Sequence, residues 1–228
     1  MKRCATLATL LLLLTAAATS AASLDPLTGE PVPAVVGEVP ATMPVAADAR
    51  DGDLVPLAHI ADGTSKSVRA LSGDVIIWQN GAWLVATDLA DPAAPVELGR
   101  HLLPAQPSDM LVMGETVYVA LRKSGGLLIL DYTDPAAPVE IGQLEGFDLL
   151  SVAVEGDRAY CGRGTSGVLI VDITDPTAPV DINLFDTPGS ANGTDIDGTT
   201  LYVALGNDGM GVYDVADPLA PVSLGSAG

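Results

Sequence analysis

The pattern Asp-x-x-Asp-Pro recurs four times in this chain and constrains its fold more than any other feature. Its second aspartate is Asp91, Asp134, Asp175 and Asp217 in successive copies, which lie 43, 41 and 42 residues apart. Ala-Pro-Val follows each copy, so the repeat extends beyond the aspartates. Periods of this length are typical of propeller blades and other stacked units, each of which buries its apolar face only against a neighbour.

Each unit contains four apolar runs of strand length, separated by turns rich in Gly, Pro or Asp. In the third unit the first three runs are 150–154, 159–163 and 168–173, and a fourth begins near Ala178. No segment of ten or more residues has apolar positions at helical spacing, which argues against crossover helices and a parallel sheet. The sequence therefore predicts an all-β fold, a β-propeller or partial propeller of four repeats with four antiparallel strands each.

Two of the units resemble a known repeat. Residues 168–176 read Val-Leu-Ile-Val-Asp-Ile-Thr-Asp-Pro and residues 127–135 read Leu-Leu-Ile-Leu-Asp-Tyr-Thr-Asp-Pro, and both are similar to the LVIVD repeat. The resemblance covers about residues 54–228 and implies a β-propeller-like protein of the kind that bacteria and archaea mostly export. The first unit departs most, with Leu-Val-Ala-Thr-Asp at 84–88. The resemblance carries over no catalytic residues, and a fold alone does not give a function.

The sequence before the repeats predicts export. Met1-Lys2-Arg3 precedes an apolar stretch and then small residues, which is the order of a secretory signal peptide, with an uncleaved anchor as the alternative. We assign 1–22 to a signal peptide, 23–53 to a Pro/Ala-rich linker and 54–228 to the repeats, with unit boundaries at 54–95, 96–138, 139–179 and 180–228. The expected location is secreted, periplasmic or at the cell surface, with no membrane insertion after signal cleavage.

The repeats are compatible with either a closed or an unfinished ring. Residues 54–60 resemble a fourth strand without the three that should precede it, and the last unit ends in a short run at 222–225. In one alternative the N-terminal strand completes the last unit and closes a four-bladed ring. In the other the ring is unfinished, and its exposed edges favour self-association with another copy.

The chain is strongly acidic, with 10 Lys and Arg against 29 Asp and Glu and a formal net charge of -19. Such a chain is repelled by phosphate backbones and by anionic membrane surfaces, which excludes nucleic acid as a partner. Signal cleavage would remove Cys4 and leave Cys161 without a partner for an internal disulfide. Cys161 is therefore predicted to be a small buried hydrophobe.

The strand order places most acidic turns on one rim of the predicted propeller, which we call the acidic rim. It carries the turns between first and second strands and between third and fourth strands, including Asp131, Asp134, Asp172 and Asp175. Aspartate before proline commonly caps a turn with its own side chain, which is the interpretation we favour. Calcium is the one cofactor considered, with these four as weak candidate ligands, because Ca²⁺ needs about six to eight converging oxygens.

The opposite rim carries the turns between second and third strands and the loops between units. Arg122, Lys123 and Arg163 lie in these turns, and Trp78 lies near the corresponding turn of the first unit. If these side chains converge, the cations could hold an anionic group of a glycan or peptide, with Trp78 as an aromatic platform. The alternative is that the cations are solvated turn residues and that the tryptophan fills the core.

No catalytic constellation is visible in the sequence. His59 and His101 are 42 residues apart at equivalent strand positions, as repetition alone would produce. The nucleophile elbow, P-loop, HExxH, CxxC and GxGxxG patterns are absent. We therefore expect a non-enzymatic protein that binds an unidentified protein or glycan. A propeller hydrolase or lyase with a site in the central funnel, and a purely structural surface module, are the alternatives.

Overall fold

Strands dominate the part of the chain that the computed structural model describes, which is residues 67–228. The predicted signal peptide, the linker and the lone strand at 54–60 lie outside the described residues. Four sheets of four consecutive strands, here called blades 1 to 4, follow one another along the chain. Blade 1 consists of β1 (Val68–Ser72), β2 (Val75–Asn80), β3 (Trp83–Asp88) and β4 (Val96–Leu102).

The other three blades have the same composition. Blade 2 consists of β5 (Pro107–Met113), β6 (Thr116–Leu121), β7 (Gly126–Asp131) and β8 (Val139–Leu144). Blade 3 consists of β9 (Ser151–Glu155), β10 (Arg158–Gly162), β11 (Val168–Asp172) and β12 (Val180–Phe185). Blade 4 consists of β13 (Gly193–Asp197), β14 (Thr200–Ala204), β15 (Met210–Asp214) and β16 (Val222–Ala227).

Neighbouring strands within each blade are antiparallel and follow the chain order, which confirms the predicted all-β fold of four four-stranded repeats. A 3₁₀ helix at Gly206–Asp208 is the one helical element within residues 67–228, where no helix is long and apolar enough to cross a membrane. The blades and the predicted units differ in where they start. The Asp-Pro marker lies between the third and fourth strands, so units drawn from it assigned each fourth strand to the following unit.

The core lies between blades. Three clusters of buried apolar side chains join blade 1 to 2, blade 2 to 3 and blade 3 to 4. Cys161 lies in the second cluster, and burial raises the pKa of its thiol to about 12, which confirms that it packs as a hydrophobe. Because each blade is a thin sheet, nearly all of its apolar burial depends on its neighbours.

Blade 4 is completed by its own fourth strand, since β16 pairs with β15 along its length. Within residues 67–228 this sheet therefore has four strands without the N-terminal strand at 54–60, which lies outside the described residues. Within residues 67–228, no apolar cluster joins blade 4 to blade 1. The described residues thus form a run of four blades with three interfaces.

The Asp-Pro turns are held by their own carboxylates. Asp134 Oδ1 accepts the backbone N–H of Ala136 at 3.0 Å, and Asp91, Asp175 and Asp217 make the same bond two residues on. The first aspartate of each pair does likewise at the end of the third strand. These bonds confirm the predicted turn caps, and hydrogen bonds from Thr133, Thr174 and Thr177 lower the pKa of Asp131, Asp172 and Asp175.

Candidate functional site

A cavity of about 440 Å³ lies on the opposite rim, where three loops between blades meet the turn between β6 and β7. We call it the rim cavity, and it is lined by Gln106, Pro107, Ser108, Arg122, Lys123, Leu150 and Asn192. Gln106, Leu150 and Asn192 belong to the three successive loops that connect blades 1 to 4. The cavity therefore exists only when consecutive blades are packed together.

The two cations of the rim cavity are positioned by one carboxylate. Asp148 Oδ1 accepts Nε of Arg122 at 2.8 Å and the backbone N–H of Lys123 at 3.1 Å. Lys123 and Ser124 both have left-handed backbone conformations, with φ of 54° and 68°. Residues other than glycine adopt this conformation at some cost in free energy. Among the described residues, the Lys123 ammonium makes no ion pair.

The other two predicted binding residues lie outside the lining of the rim cavity. Arg163 stacks on Phe147, with its guanidinium carbon 4.9 Å from the ring centroid. Trp78 is a core residue of β2 that is 8% exposed, and its indole N–H donates to Thr87 Oγ1 at 2.9 Å. A ring buried to this extent offers no open face to a ligand. Trp78 therefore fills the core, which was the alternative to an aromatic platform.

The opposite rim carries acidic as well as basic side chains. The loops between blades bring acids next to the predicted cations, and the 3₁₀ helix adds another. The acids of this rim are Glu145, Asp148, Asp186 and Asp208, against the cations Arg122, Lys123 and Arg163. The rim is therefore less acidic than the other one without being basic overall, and positive charge is confined to the neighbourhood of the rim cavity.

A second cavity, of about 220 Å³, lies between the first strands of the blades. Its lining consists of Arg69, Asp109, Met110, Leu111, Val152, Ala153, Val154, Thr194, Asp195 and Ile196. These residues come from β1, β5, β9 and β13, so all four first strands face this space. Its charged groups were not singled out by the repeat, because they occupy different positions in different blades.

Asp109 connects three blades at this cavity. One of its carboxylate oxygens lies 3.5 Å from Arg69 Nη2 in blade 1 and accepts the backbone N–H of Met110 at 2.9 Å. The other accepts the backbone N–H of Val152 in blade 3 at 3.2 Å. The carboxylate therefore bridges β1 and β9, through the guanidinium of Arg69 on one side and the backbone N–H of Val152 on the other.

We expect Asp109→Ala to lower the free energy of unfolding by about 1–3 kcal/mol, because the N–H of Val152 loses its acceptor. Asp109→Asn, which keeps an acceptor oxygen of the same size, should cost less than half of that. Urea unfolding followed by far-UV circular dichroism measures both. An alanine variant as stable as the asparagine variant would show that the carboxylate does not bridge the blades in solution.

The calcium candidates lie apart from one another along the acidic rim. Asp131 and Asp134 flank the turn of blade 2, whereas Asp172 and Asp175 flank that of blade 3. Within residues 67–228, no group of three acidic, histidine or cysteine side chains is arranged to hold a metal ion. The carboxylates of the four calcium candidates accept hydrogen bonds from the backbone N–H groups of their own turns.

Sequence reasoning found the cations of the rim cavity and missed its neutral lining. Gln106 and Asn192 lie in loops of unequal length, where the repeat no longer predicts position, and Ser108 lies at the start of β5. The one available signal was a departure from repetition at Lys123, where the equivalent residues of blades 3 and 4 are Gly164 and Gly206. Arg122 gives no such signal, because its equivalent in blade 3 is Arg163.

Four antiparallel four-stranded blades, packed face to face through apolar clusters, define this chain as a β-propeller-like repeat protein. The LVIVD repeat model matches residues 106–145, 148–187 and 188–227, which correspond to blades 2, 3 and 4 and make up more than half of the chain. The chain belongs to the LVIVD repeat family. No curated protein matches its sequence.

The solved structures that are similar to this chain in fold include two computationally designed proteins. The crystal structure of the computationally designed Ika4 protein matches with a TM-score of 0.55 and 10% identity over 67% of this chain and 91% of that one. The crystal structure of the computationally designed Ika8 protein matches with a TM-score of 0.56 and 10% identity over 72% of this chain and 49% of that one. At this identity the likeness concerns the fold alone.

Proposed function

We propose that this chain is an exported, non-enzymatic propeller protein that binds a singly charged anionic group of a glycan or peptide in the rim cavity. The observation that carries the proposal is the convergence of Arg122 and Lys123 with the polar side chains of Gln106 and Asn192 around one space. Export is supported by the signal-like order of residues 1–22. The location is extracytoplasmic, either periplasmic or at the cell surface.

The chemistry of the lining favours a small, mixed ligand. Lys123 supplies a point charge, and Arg122 supplies guanidinium N–H groups beyond the Nε that Asp148 occupies. Asn192 and Gln106 add amide donors and acceptors, while Pro107 and Leu150 supply apolar surface. A carboxylate or sulfate on a sugar or short peptide matches this set, whereas a polyanion would be repelled by the net charge of -19.

Binding is tested with defined probes. We expect sialyllactose, glucuronic acid, galactose-6-sulfate or a short peptide with a free C-terminus to shift the NMR signals of residues around the rim cavity. The double variant Arg122→Gln/Lys123→Asn should weaken that binding at least tenfold, because the charge-assisted contacts are lost. Asparagine is chosen at position 123 because it tolerates a left-handed backbone.

The matched control is Arg100→Gln/Arg158→Gln, which removes the same charge from β4 and β10, away from the rim cavity. This variant should bind the probe as the parent does. If none of the probes binds, or if both double variants weaken binding equally, the rim cavity is not an anion site and the purely structural alternative gains support. Both double variants should unfold within about 1 kcal/mol of the parent, because the substitutions are at the surface.

A further inference from the structure

The outward face of blade 4 repeats the surface that joins the other blades. In blade 3, Tyr160, Val168 and Ile170 are buried against blade 4. The residues 42 positions later are Tyr202, Met210 and Val212, which occupy the same register in β14 and β15. Tyr160 is 3% exposed and Tyr202 is 36% exposed, so the same side chain at the same place lacks a covering blade among residues 67–228.

A second contact of each interface is also without its partner. The fourth strand of each blade has a bulge residue, and in blades 1, 2 and 3 that residue packs into the cluster shared with the next blade; these residues are Leu98, Ile141 and Ile182. The fourth member of the series is Leu224, which is 60% exposed.

The position after the bulge completes the pattern. Gly99 and Gly142 lie against the Asp-Pro turn of the next blade, and Asn183 donates to the carbonyl of Pro218 in the next blade at 2.8 Å. A Cβ added to Gly225, in contrast, would have no described atom within 4 Å. Blade 4 therefore carries a complete blade-packing surface, defined by Tyr202, Met210, Val212, Leu224 and Gly225, which we call the terminal face.

Exposure on the terminal face is not a general property of fourth strands. Val222 is 58% exposed, but its equivalents Val96, Val139 and Val180 are 57%, 57% and 53% exposed in blades that do have a neighbour. The side chains of the terminal face differ from their equivalents, whereas Val222 does not. The missing burial is thus specific to the positions that pack blade on blade.

We propose that the terminal face is the contact between two copies of this chain, which associate through blade 4 against blade 4 about a two-fold axis. The proposal rests on the side chains that the terminal face carries, because their equivalents in blades 1 to 3 all pack against a neighbouring sheet. Those three contacts join unlike faces, whereas the proposed contact joins two copies of the same face. A head-to-tail contact would need the outward face of blade 1, where Trp78, Val85 and Thr87 are already buried. A two-fold contact covers both terminal faces at once and closes at the dimer.

The test is the solution mass of the full chain by light scattering over a range of concentrations. The parent should have twice the mass of the denatured chain, and Tyr202→Glu and Leu224→Glu should each raise the dissociation constant at least tenfold by placing a buried charge in the contact. Val222→Glu is the matched control and should leave the mass unchanged. A parent that stays monomeric, or a control that dissociates as readily, overturns the proposal.

The two-fold geometry has its own readout. A two-fold contact pairs the terminal face with itself, so at least one of Tyr202→Cys, Met210→Cys and Leu224→Cys, each in a Cys4→Ser background, should give a disulfide-linked dimer under mild oxidation, while Cys161 is buried. Val222→Cys, treated in the same way, should not cross-link. A dimer that Tyr202→Glu disrupts but that none of the three cysteine variants cross-links indicates a head-to-tail contact and overturns the blade 4 to blade 4 arrangement.

Discussion

Tyr160→Ala is expected to lower the free energy of unfolding by about 3–5 kcal/mol, whereas Tyr202→Ala lowers it by about 1 kcal/mol or less. The two tyrosines occupy equivalent positions in neighbouring blades and differ in burial, with Tyr160 almost fully covered by blade 4. Removing the buried ring leaves a cavity that two rigid sheets cannot collapse to fill. Removing the other ring leaves open a surface that the described chain does not cover.

The comparison is made by urea unfolding at low protein concentration, so that association contributes nothing to either value. Urea unfolding of the same variants at high protein concentration also tests the proposed dimer. Dimer formation would bury Tyr202 and so increase the loss of stability in Tyr202→Ala. Equal costs for the two alanine variants at low concentration would show that another part of the chain covers the terminal face.

The second large effect is expected at Gly142, where Gly142→Ala should lower the free energy of unfolding by about 2–3 kcal/mol. A methyl group there would overlap the backbone carbonyl oxygen of Pro176 in the next blade and would lie 3.2 Å from Cδ of Pro179. Neither obstacle is the free end of a flexible side chain, so blades 2 and 3 would have to move apart.

Gly193→Ala is the matched control for this substitution. Its new methyl group would lie 3.5 Å from the Cβ of Ala204, which is an ordinary van der Waals distance, and it should leave stability unchanged or raise it by up to about 1 kcal/mol. Thermal unfolding by calorimetry ranks the two variants. If Gly142→Ala is as stable as Gly193→Ala, the turn at Pro176 does not press on blade 2 in solution.

Much of the fold could be predicted from the sequence, because each strand and turn pattern occurs in four copies that can be compared with one another. The apolar runs of the third unit match β9, β10 and β11 to within one or two residues. The aspartate turns also behave as expected, since an Asx turn is local and needs no knowledge of the rest of the chain. The unit boundaries differ from the blade boundaries because a repeat period gives the length of a unit but not the strand at which it begins.

The candidate site was harder to predict, because it depends on how loops from different blades meet. Asp148 lies 25 residues from Lys123 in sequence, and nothing in the pattern indicates that it binds the backbone of that residue and the side chain of Arg122. Trp78 was difficult for another reason. A shift of one position in register moves a strand residue from one face of its sheet to the other, and the sequence does not indicate whether a given face of the first blade is covered.

The contact between each fourth strand and the following Asp-Pro turn bears on how such proteins change size. Because the same few positions join every pair of blades, a duplicated or deleted unit would meet its new neighbours with surfaces that already fit. Blade number in this architecture is therefore free to drift by unequal recombination without redesign of any interface. Natural variation should accordingly concentrate in the loops of the opposite rim, where each copy is released from the constraint of fitting the next.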